Sequence, residues 1–87
     1  GVGNPSPVFV CRGVRLHGPL RAVGDGHVKF EVVQDRALLT AIGFSMAERF
    51  KELDLAASPF DIAFQLQENH WNGRTELQAR LLDVRPA

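Results

Sequence analysis

Apolar and polar residues alternate along most of the chain, and this alternation predicts strands with one buried face. The first three predicted strands span residues 8–16, 28–32 and 38–44, with a short extension of the first at residues 20–23. The fourth spans residues 61–67, and the fifth follows residue 74. Gly13 marks a bulge or bend in the first strand, and the change of apolar register near Leu81 and Leu82 predicts a bulge in the fifth.

The period changes between residues 45 and 53, which predicts one short helix. Ser45 and Glu48 have the spacing of a capping box, in which the hydroxyl accepts a free helical N–H and the carboxylate reaches back. Met46, Phe50 and Leu53 then lie at i, i+4 and i+7, on one face of the helix. The sequence therefore predicts a helix over 45–53 that packs through these three residues.

Asn72-Gly73 lies between two alternating runs and predicts a β-hairpin, because a type I′ turn needs positive φ at both central residues. This turn places Trp71, His70 and Arg74 in a loop spanning residues 69–74. An indole at a loop tip is unusual unless something stacks on it. The hairpin is therefore the first candidate for a binding site.

The element order is three strands, a helix and two strands, which predicts an all-β protein with an OB-fold. In that five-stranded Greek-key barrel, a helix between strands 3 and 4 plugs one end, and the bent first strand belongs to both halves. OB-folds bind oligonucleotides or oligosaccharides on strands 2 and 3, between the 1–2 and 4–5 loops. We expect those loops at residues 17–27 and 69–74. An SH3-like barrel is the alternative, but it does not readily accommodate the helix.

Composition and length limit the possible size, cellular compartment and class of the protein. The 87 residues suffice for one small core, and residues 1–7 have the Gly, Pro, Asn and Ser content of an entry turn or linker before a domain at 8–87. The chain begins without Met, so we expect an excised fragment; it has no visible signal peptide and no membrane-length apolar run. The single Cys11 cannot form an internal disulfide, which fits a reducing compartment, and we expect it to be a small apolar strand residue.

Ten basic residues balance ten acidic ones, so no overall field attracts nucleic acid. The charges are unevenly spread, however: residues 1–30 carry +3, residues 31–70 carry −4 and the remainder +1. If the first and last strands lie side by side, one face of the barrel is basic. Such segregation is compatible with binding a polyanion in one orientation.

With these elements in place, the chain resembles the RecJ family of bacterial single-strand-specific 5′→3′ DNA exonucleases, in particular their OB-fold domain. The resemblance covers nearly the whole chain through GVGNPSPVF at residues 1–9, VGDGHVKF at 23–30, AIGFSMAE at 41–48 and DIAFQLQENHWNGRTELQARLLDVRP at 61–86. The opening Gly-x-Gly-Asn-Pro and the Glu-Asn-x-Trp-Asn-Gly-Arg loop are fairly specific together, whereas either alone is weak.

The resemblance implies a cytoplasmic bacterial nuclease of DNA repair and recombination whose chemistry lies outside this chain. In that family a preceding domain of Asp-His-His type, with a companion domain, holds two divalent ions, manganese or magnesium, and hydrolyses the phosphodiester. His17, His27 and His70 are isolated in this sequence, and no carboxylate pair has the setting of a two-metal site. We therefore expect no catalytic residue, metal site or cofactor in this fragment, only in its parent.

Seven residues are candidate DNA contacts: Trp71, Arg74, Lys29, Arg12, Arg15, Arg80 and His27. Trp71 would stack a base or, alternatively, pack over the barrel rim. Arg74 would bind phosphate or lie flat on a base, unless it only faces Glu68 or Glu76. Lys29 would contact phosphate or form a cross-strand ion pair. The other arginines are each a solvated charge or part of a basic groove, and His27 is a phosphate donor or a turn residue.

Two further expectations complete the sequence picture. Asn4-Pro5 shapes the entry turn or meets the catalytic domain or nucleic acid. Most of Phe9, Phe30, Phe44, Phe60 and Phe64 occupy apolar strand positions and are expected in the core.

The leading hypothesis is a module that binds single-stranded DNA without sequence preference, next to the remaining nuclease domains. The alternative is a structural or protein-interaction domain that positions the catalytic domains or docks a single-strand-binding protein or a helicase; net neutrality favours it. An RNA- or oligosaccharide-binding OB-fold rests on fold analogy alone. No membrane partner is expected.

Overall fold

A computed structural model describes residues 7–87, except the side chain of Trp71. The expectations for residues 1–6, including the entry turn and Asn4-Pro5, lie outside the described residues. The elements, in chain order, are β1 (Phe9–Val23), β2 (His27–Gln34), β3 (Ala37–Gly43), α1 (Ala47–Lys51), β4 (Phe60–Trp71) and β5 (Arg74–Pro86). The predicted order of elements is confirmed.

The five strands form a closed barrel in the order β1-β2-β3-β5-β4, and β4 pairs with β1 to complete it. The first part of β1 pairs with β4, from Phe9 to Val14, and the rest pairs with β2, from Arg15 to Val23. Gly13 stands at the change of partner with a φ of 69°, and its N–H donates to the carboxylate of Asp61 at 2.9 Å. The predicted bend and the sharing of β1 between both halves are confirmed, and with them the OB-fold.

β5 lies between β3, which it meets in parallel, and β4, which it meets in antiparallel. β1 and β5 are therefore not neighbours. The condition that the first and last strands lie side by side is wrong, because the barrel places β4 between them on one side and β2 and β3 on the other. Any basic face must be built through β2 and β3.

The core fills the barrel and is closed at one end by α1. Val14, Phe60, Ile62 and Val84 are the largest side chains with almost no exposure, and burying a side chain of this size contributes roughly 1.5–3 kcal/mol. Phe50 of α1 packs against Phe30 of β2 with ring centroids 5.3 Å apart. Met46 and Leu53 pack beside the same core, so the predicted apolar helix face is confirmed.

The predicted capping box is wrong. The helix begins later, at Ala47, and Met46 occupies the cap position without a side-chain hydrogen bond. Ser45 has a φ of 57°, and its backbone N–H donates to Nδ1 of His27 at 2.8 Å. Ser45 therefore ends the β3 turn and is not the start of the helix.

The two hairpins differ from expectation in length. Most of the predicted 17–27 loop is strand, because β1 continues to Val23 and only residues 24–26 form the turn. The 4–5 connection is also shorter: Asn72 and Gly73 alone form the turn, with φ of 50° and 72°, so the type I′ prediction is confirmed. Close to this turn the β4–β5 hairpin is largely exposed, and Leu77 there is 62% exposed although it lies in an alternating apolar run.

Two smaller sequence predictions meet different outcomes. Leu82 is unpaired between the Phe64–Leu81 and Ala63–Asp83 pairs, which confirms the bulge in β5. Phe30, Phe60 and Phe64 are buried, as expected. Phe9 and Phe44 are not in the core, because Phe9 opens β1 and Phe44 follows the last residue of β3.

Candidate nucleic-acid interface

Three basic side chains form a row across the outer face of the barrel. Arg21 of β1 lies directly opposite Lys29 of β2, and Lys29 lies opposite Ile42 of β3. Ile42 in turn is registered with Arg80 of β5. We call Arg21, Lys29 and Arg80 the cation row.

The alternation of the strands explains why these side chains point outward. In β2, Val28, Phe30 and Val32 are buried, so Lys29 and Glu31 belong to the other face. In β5, Ala79 and Leu81 are buried and Arg80 between them is exposed. Ile42 shares the outer face with Lys29 and is only 9% exposed.

The cation row has no carboxylate partners among the described side chains. Their ion pairs involve Arg49, Lys51, His70 and Arg85 instead. Like charges directly opposite each other on a sheet are destabilising. Arg21 and Lys29 are such a pair, and an anion bound between them would remove their repulsion.

A groove of about 240 Å³ lies beside the row. Its walls come from β1, β2, β3 and the β4–β5 hairpin, and they include His17, Arg21, Lys29, Glu31, Glu76 and Gln78. His17 lies directly opposite Glu31. The groove therefore has mixed charge, with Arg21 and Lys29 as its basic residues and Glu31 and Glu76 as its acidic ones.

Arg74 extends this basic surface towards the hairpin tip. It lines a depression with Lys29, Asn69 and Glu76, so the structure brings together two of the predicted contacts. The backbone of Trp71 pairs with that of Arg74 beside the turn. The prediction for the indole of Trp71 itself lies outside the described residues.

An aromatic cluster lies at the Arg80 end of the row. His27 and Phe44 meet edge to face with ring centroids 5.3 Å apart, and the guanidinium of Arg80 lies 5.6 Å from the centre of the Phe44 ring. Two predicted residues, His27 and Arg80, are thus joined by an aromatic residue that sequence reasoning assigned to the core.

The remaining predicted arginines lie apart from the cation row. Arg15 lies opposite Val33, at the edge of the β1–β2 face nearest His17. Arg12 lies on the β1–β4 side, in a depression shared with Asp61, Asp83 and Arg85. The structure therefore does not bring Arg12 together with Lys29 and Arg80.

The surroundings of Arg12 include a carboxyl group, Asp83, whose pKa is shifted. Burial raises the pKa of Asp83, but a hydrogen bond from the Val84 N–H and the guanidinium groups of Arg85 and Arg49 outweigh burial and hold the pKa below its ordinary value. Arg85 Nε donates to Asp83 at 3.1 Å, and Arg49 lies 3.6 Å away. This region is locally neutralised, unlike the cation row.

Sequence reasoning missed Arg21, His17 and Phe44. His17 falls in the interruption predicted after the first strand. Arg21 falls in the short strand extension predicted at residues 20–23, whose pairing partner the sequence alone did not give. The signal available was the predicted extension at residues 20–23, which ends at the Gly-Asp-Gly turn and would pair with the strand that follows it. Phe44 was missed because the alternation of β3 was extended one residue too far.

No three His, Cys, Asp or Glu side chains of the described residues come together as metal ligands do. The donors present therefore do not fit the two-ion centre that the family resemblance implies for the parent. No helix in the described part of the chain is long and apolar enough to cross a membrane.

Comparison with known proteins identifies the family. The family model described as the RecJ OB domain matches residues 1–83. The chain belongs to the RecJ OB-domain family. The crystal structure of RecJ from Thermus thermophilus in complex with Mg²⁺ is similar, with 30% sequence identity and a TM-score of 0.64. No curated protein matches the chain.

The extent of the match shows how this RecJ OB domain compares in length with its relative. The similarity to the Thermus protein covers 98% of this chain but only 12% of that one. The chain therefore corresponds to one domain of a much larger protein. What a RecJ OB domain contributes must be sought in its outer surface, where the cation row lies.

Proposed function

We propose that this domain binds single-stranded DNA without sequence preference, as part of a RecJ-like 5′→3′ exonuclease of DNA repair and recombination in the bacterial cytoplasm. The observation that carries the proposal is the cation row, Arg21, Lys29 and Arg80, which no described carboxylate neutralises. Hydrolysis, with its two manganese or magnesium ions, belongs to the other domains of the parent protein.

The geometry favours a flexible backbone over a rigid duplex. The row runs across four strands, and the groove beside it is bounded by the β4–β5 hairpin. Phosphate contacts of arginine and lysine carry no sequence information. A single strand bound along the row keeps its bases unpaired and therefore accessible for stacking, which is the role proposed for Trp71.

Few basic residues imply weak, salt-dependent binding. Four contacts, from the cation row and Arg74, predict a slope of about −3 in log affinity against log salt, at roughly 0.7 per phosphate. Nonspecific binding of this kind has dissociation constants on the order of 1–100 µM at physiological salt. The acidic residues Glu31 and Glu76 in the groove keep affinity towards the weak end.

Titration of a labelled single-stranded oligonucleotide tests the proposal. Arg21→Gln should weaken binding several-fold and make the salt slope less steep by about 0.7. Arg36→Gln is the matched control, because Arg36 lies in the β2–β3 turn and lines a different depression. Equal loss in both variants, or no binding by the wild type at low salt, would contradict the proposal. Trp71→Ala in the same titration tests the stacking role of the indole.

One observation favours the alternative, a protein-interaction role. Val8, directly before β1, and Phe9 and Val10, its first two residues, are all exposed, with Val10 at 59%. Consecutive exposed apolar residues are typical of a contact with another protein surface. Amide shifts at these residues on adding a partner domain, a helicase or a single-strand-binding protein, with none on adding oligonucleotide, would favour this role.

A further inference from the structure

Phe44 is an exposed aromatic side chain at the end of the cation row. It follows β3 directly and is 41% exposed, although its neighbours Ala41, Ile42 and Gly43 are buried. An exposed aromatic ring offers a face on which a planar ligand can stack. The described residues supply two partial covers, Arg80 and His27.

Other parts of the barrel fix the positions of His27 and Arg80. Nδ1 of His27 accepts the backbone N–H of Ser45 at 2.8 Å, so in the neutral imidazole the other nitrogen, Nε2, carries the proton. The His27 ring meets Phe44 at an interplanar angle of 71°. Arg80 is anchored through its β5 backbone, registered with Ile42, and its guanidinium lies over the phenyl ring.

We propose that Phe44, Arg80 and His27 form a stacking subsite for one unpaired nucleobase. The proposal rests on the single-strand binding proposed above. Single-stranded nucleic acid is bound where a basic path along the backbone is joined to aromatic faces on which bases stack. Here both parts meet in one residue, because Arg80 belongs to the cation row and also contacts Phe44.

The three side chains have complementary roles at this subsite. The guanidinium and phenyl planes offer a π surface that accepts any base. Arg80 also brings positive charge next to the base, where the adjoining phosphate lies. Nε2 of His27 donates a hydrogen bond to a base carbonyl or phosphate oxygen, so His27 orients the nucleotide that Phe44 stacks.

Phe9 shows that exposure alone does not make such a subsite. It is 42% exposed, nearly the same as Phe44. Its ring, however, is stacked on Phe64 with centroids 5.8 Å apart, and it begins β1 on the side that pairs with β4. Phe9 thus lies outside the cation row and serves as an internal control.

The test compares two probes, a dodecamer of thymidine and the same backbone with abasic sites. Both present the same phosphates, so only the first can stack. Phe44→Leu should weaken binding of the thymidine probe by roughly fivefold or more and leave the abasic probe unchanged. Phe9→Leu should change neither, and Phe44→Trp should restore thymidine binding. Thermal unfolding checks that each variant is folded.

The outcomes separate the subsite from the proposed function. If the wild type binds both probes and Phe44→Leu binds each as the wild type does, the subsite is refuted while the cation row stands. If Phe9→Leu loses as much as Phe44→Leu, the subsite is again refuted. If the wild type binds neither probe, the proposed function and the subsite fail together.

Discussion

Arg21 and Lys29 lie directly opposite each other on the outer faces of β1 and β2, two positive charges at one register position. A pair of this kind costs stability, typically about 0.2–1 kcal/mol relative to a neutral pair. Proteins keep such local costs where function needs them. The same two charges therefore lower the stability of the free barrel and provide contacts for the proposed ligand.

Removing one charge of this pair should separate the two effects. Lys29→Gln is expected to raise the free energy of unfolding by up to about 1 kcal/mol, because the repulsion disappears, and to weaken single-stranded DNA binding. Urea denaturation and oligonucleotide titration measure these effects. Lys51→Gln is the control with the same charge change: Lys51 pairs with Glu48 on α1 at 3.0 Å, so this variant should gain no stability and bind DNA normally. A loss of stability in Lys29→Gln would count against the repulsion.

The type I′ turn of the β4–β5 hairpin should depend on Gly73. Its φ of 72° is in the left-handed region, and a Cβ there meets no atom within 4 Å, so the cost is one of backbone strain alone. Gly73→Ala is expected to destabilise the protein by roughly 1–2 kcal/mol, measured by urea denaturation. Asn72→Gly, at a φ of 50°, should be neutral or nearly so. Equal stability of the Gly73→Ala variant would mean that the turn is of another type.

Ser45 distinguishes the observed helix start from the predicted capping box. If its hydroxyl capped the helix, Ser45→Ala would cost about 0.5–2 kcal/mol. The hydroxyl makes no cap hydrogen bond and the interaction with His27 uses the backbone N–H, so we expect almost no change in thermal unfolding. Ser45→Gly should stabilise by up to about 1 kcal/mol, because glycine adopts the positive φ without strain.

Asp83 should make the barrel sensitive to acid. Its pKa in the folded protein lies below the ordinary value of 3.8, so the ionised form stabilises the fold above that pH. The contribution is lost as the pH falls through 3.8 and then through the lower folded pKa. Asp83→Asn should show a smaller loss of urea stability between about pH 6 and pH 3 than the wild type.

The period of apolar residues was enough to predict the strands of the barrel, because the inner and outer faces of β2 and β4 differ sharply in polarity. Asn72-Gly73 fixed one turn, since few other dipeptides adopt two positive φ values. The element order then left few topologies. Strand alternation and turn type both depend on residues that are close together in the sequence, so the sequence alone predicts them.

The interface was only partly predictable, because it depends on register between strands that are distant in sequence. Lys29, His27, Arg80 and Arg74 were predicted one at a time, yet the row that joins Lys29 to Arg80 exists only through Ile42. Arg21 was missed because its position opposite Lys29 follows a register shift between His17 and Arg21, which the sequence pattern did not reveal. Ser45 and Phe44 were misassigned because the chain adopts a positive φ just where the periods change.

A map of amide chemical shifts on adding a short single-stranded oligonucleotide tests the cation row itself. If the row binds the strand, the largest changes should fall at Arg21, Lys29, Ile42 and Arg80. They should continue to Phe44 beside Arg80 and to Arg74, which shares a depression with Lys29. Arg12 and Asp83, on the β1–β4 side, should change little. Shifts confined to the β1–β4 side, or absent from β2 and β5 at saturating oligonucleotide, would show that the row is not the binding surface.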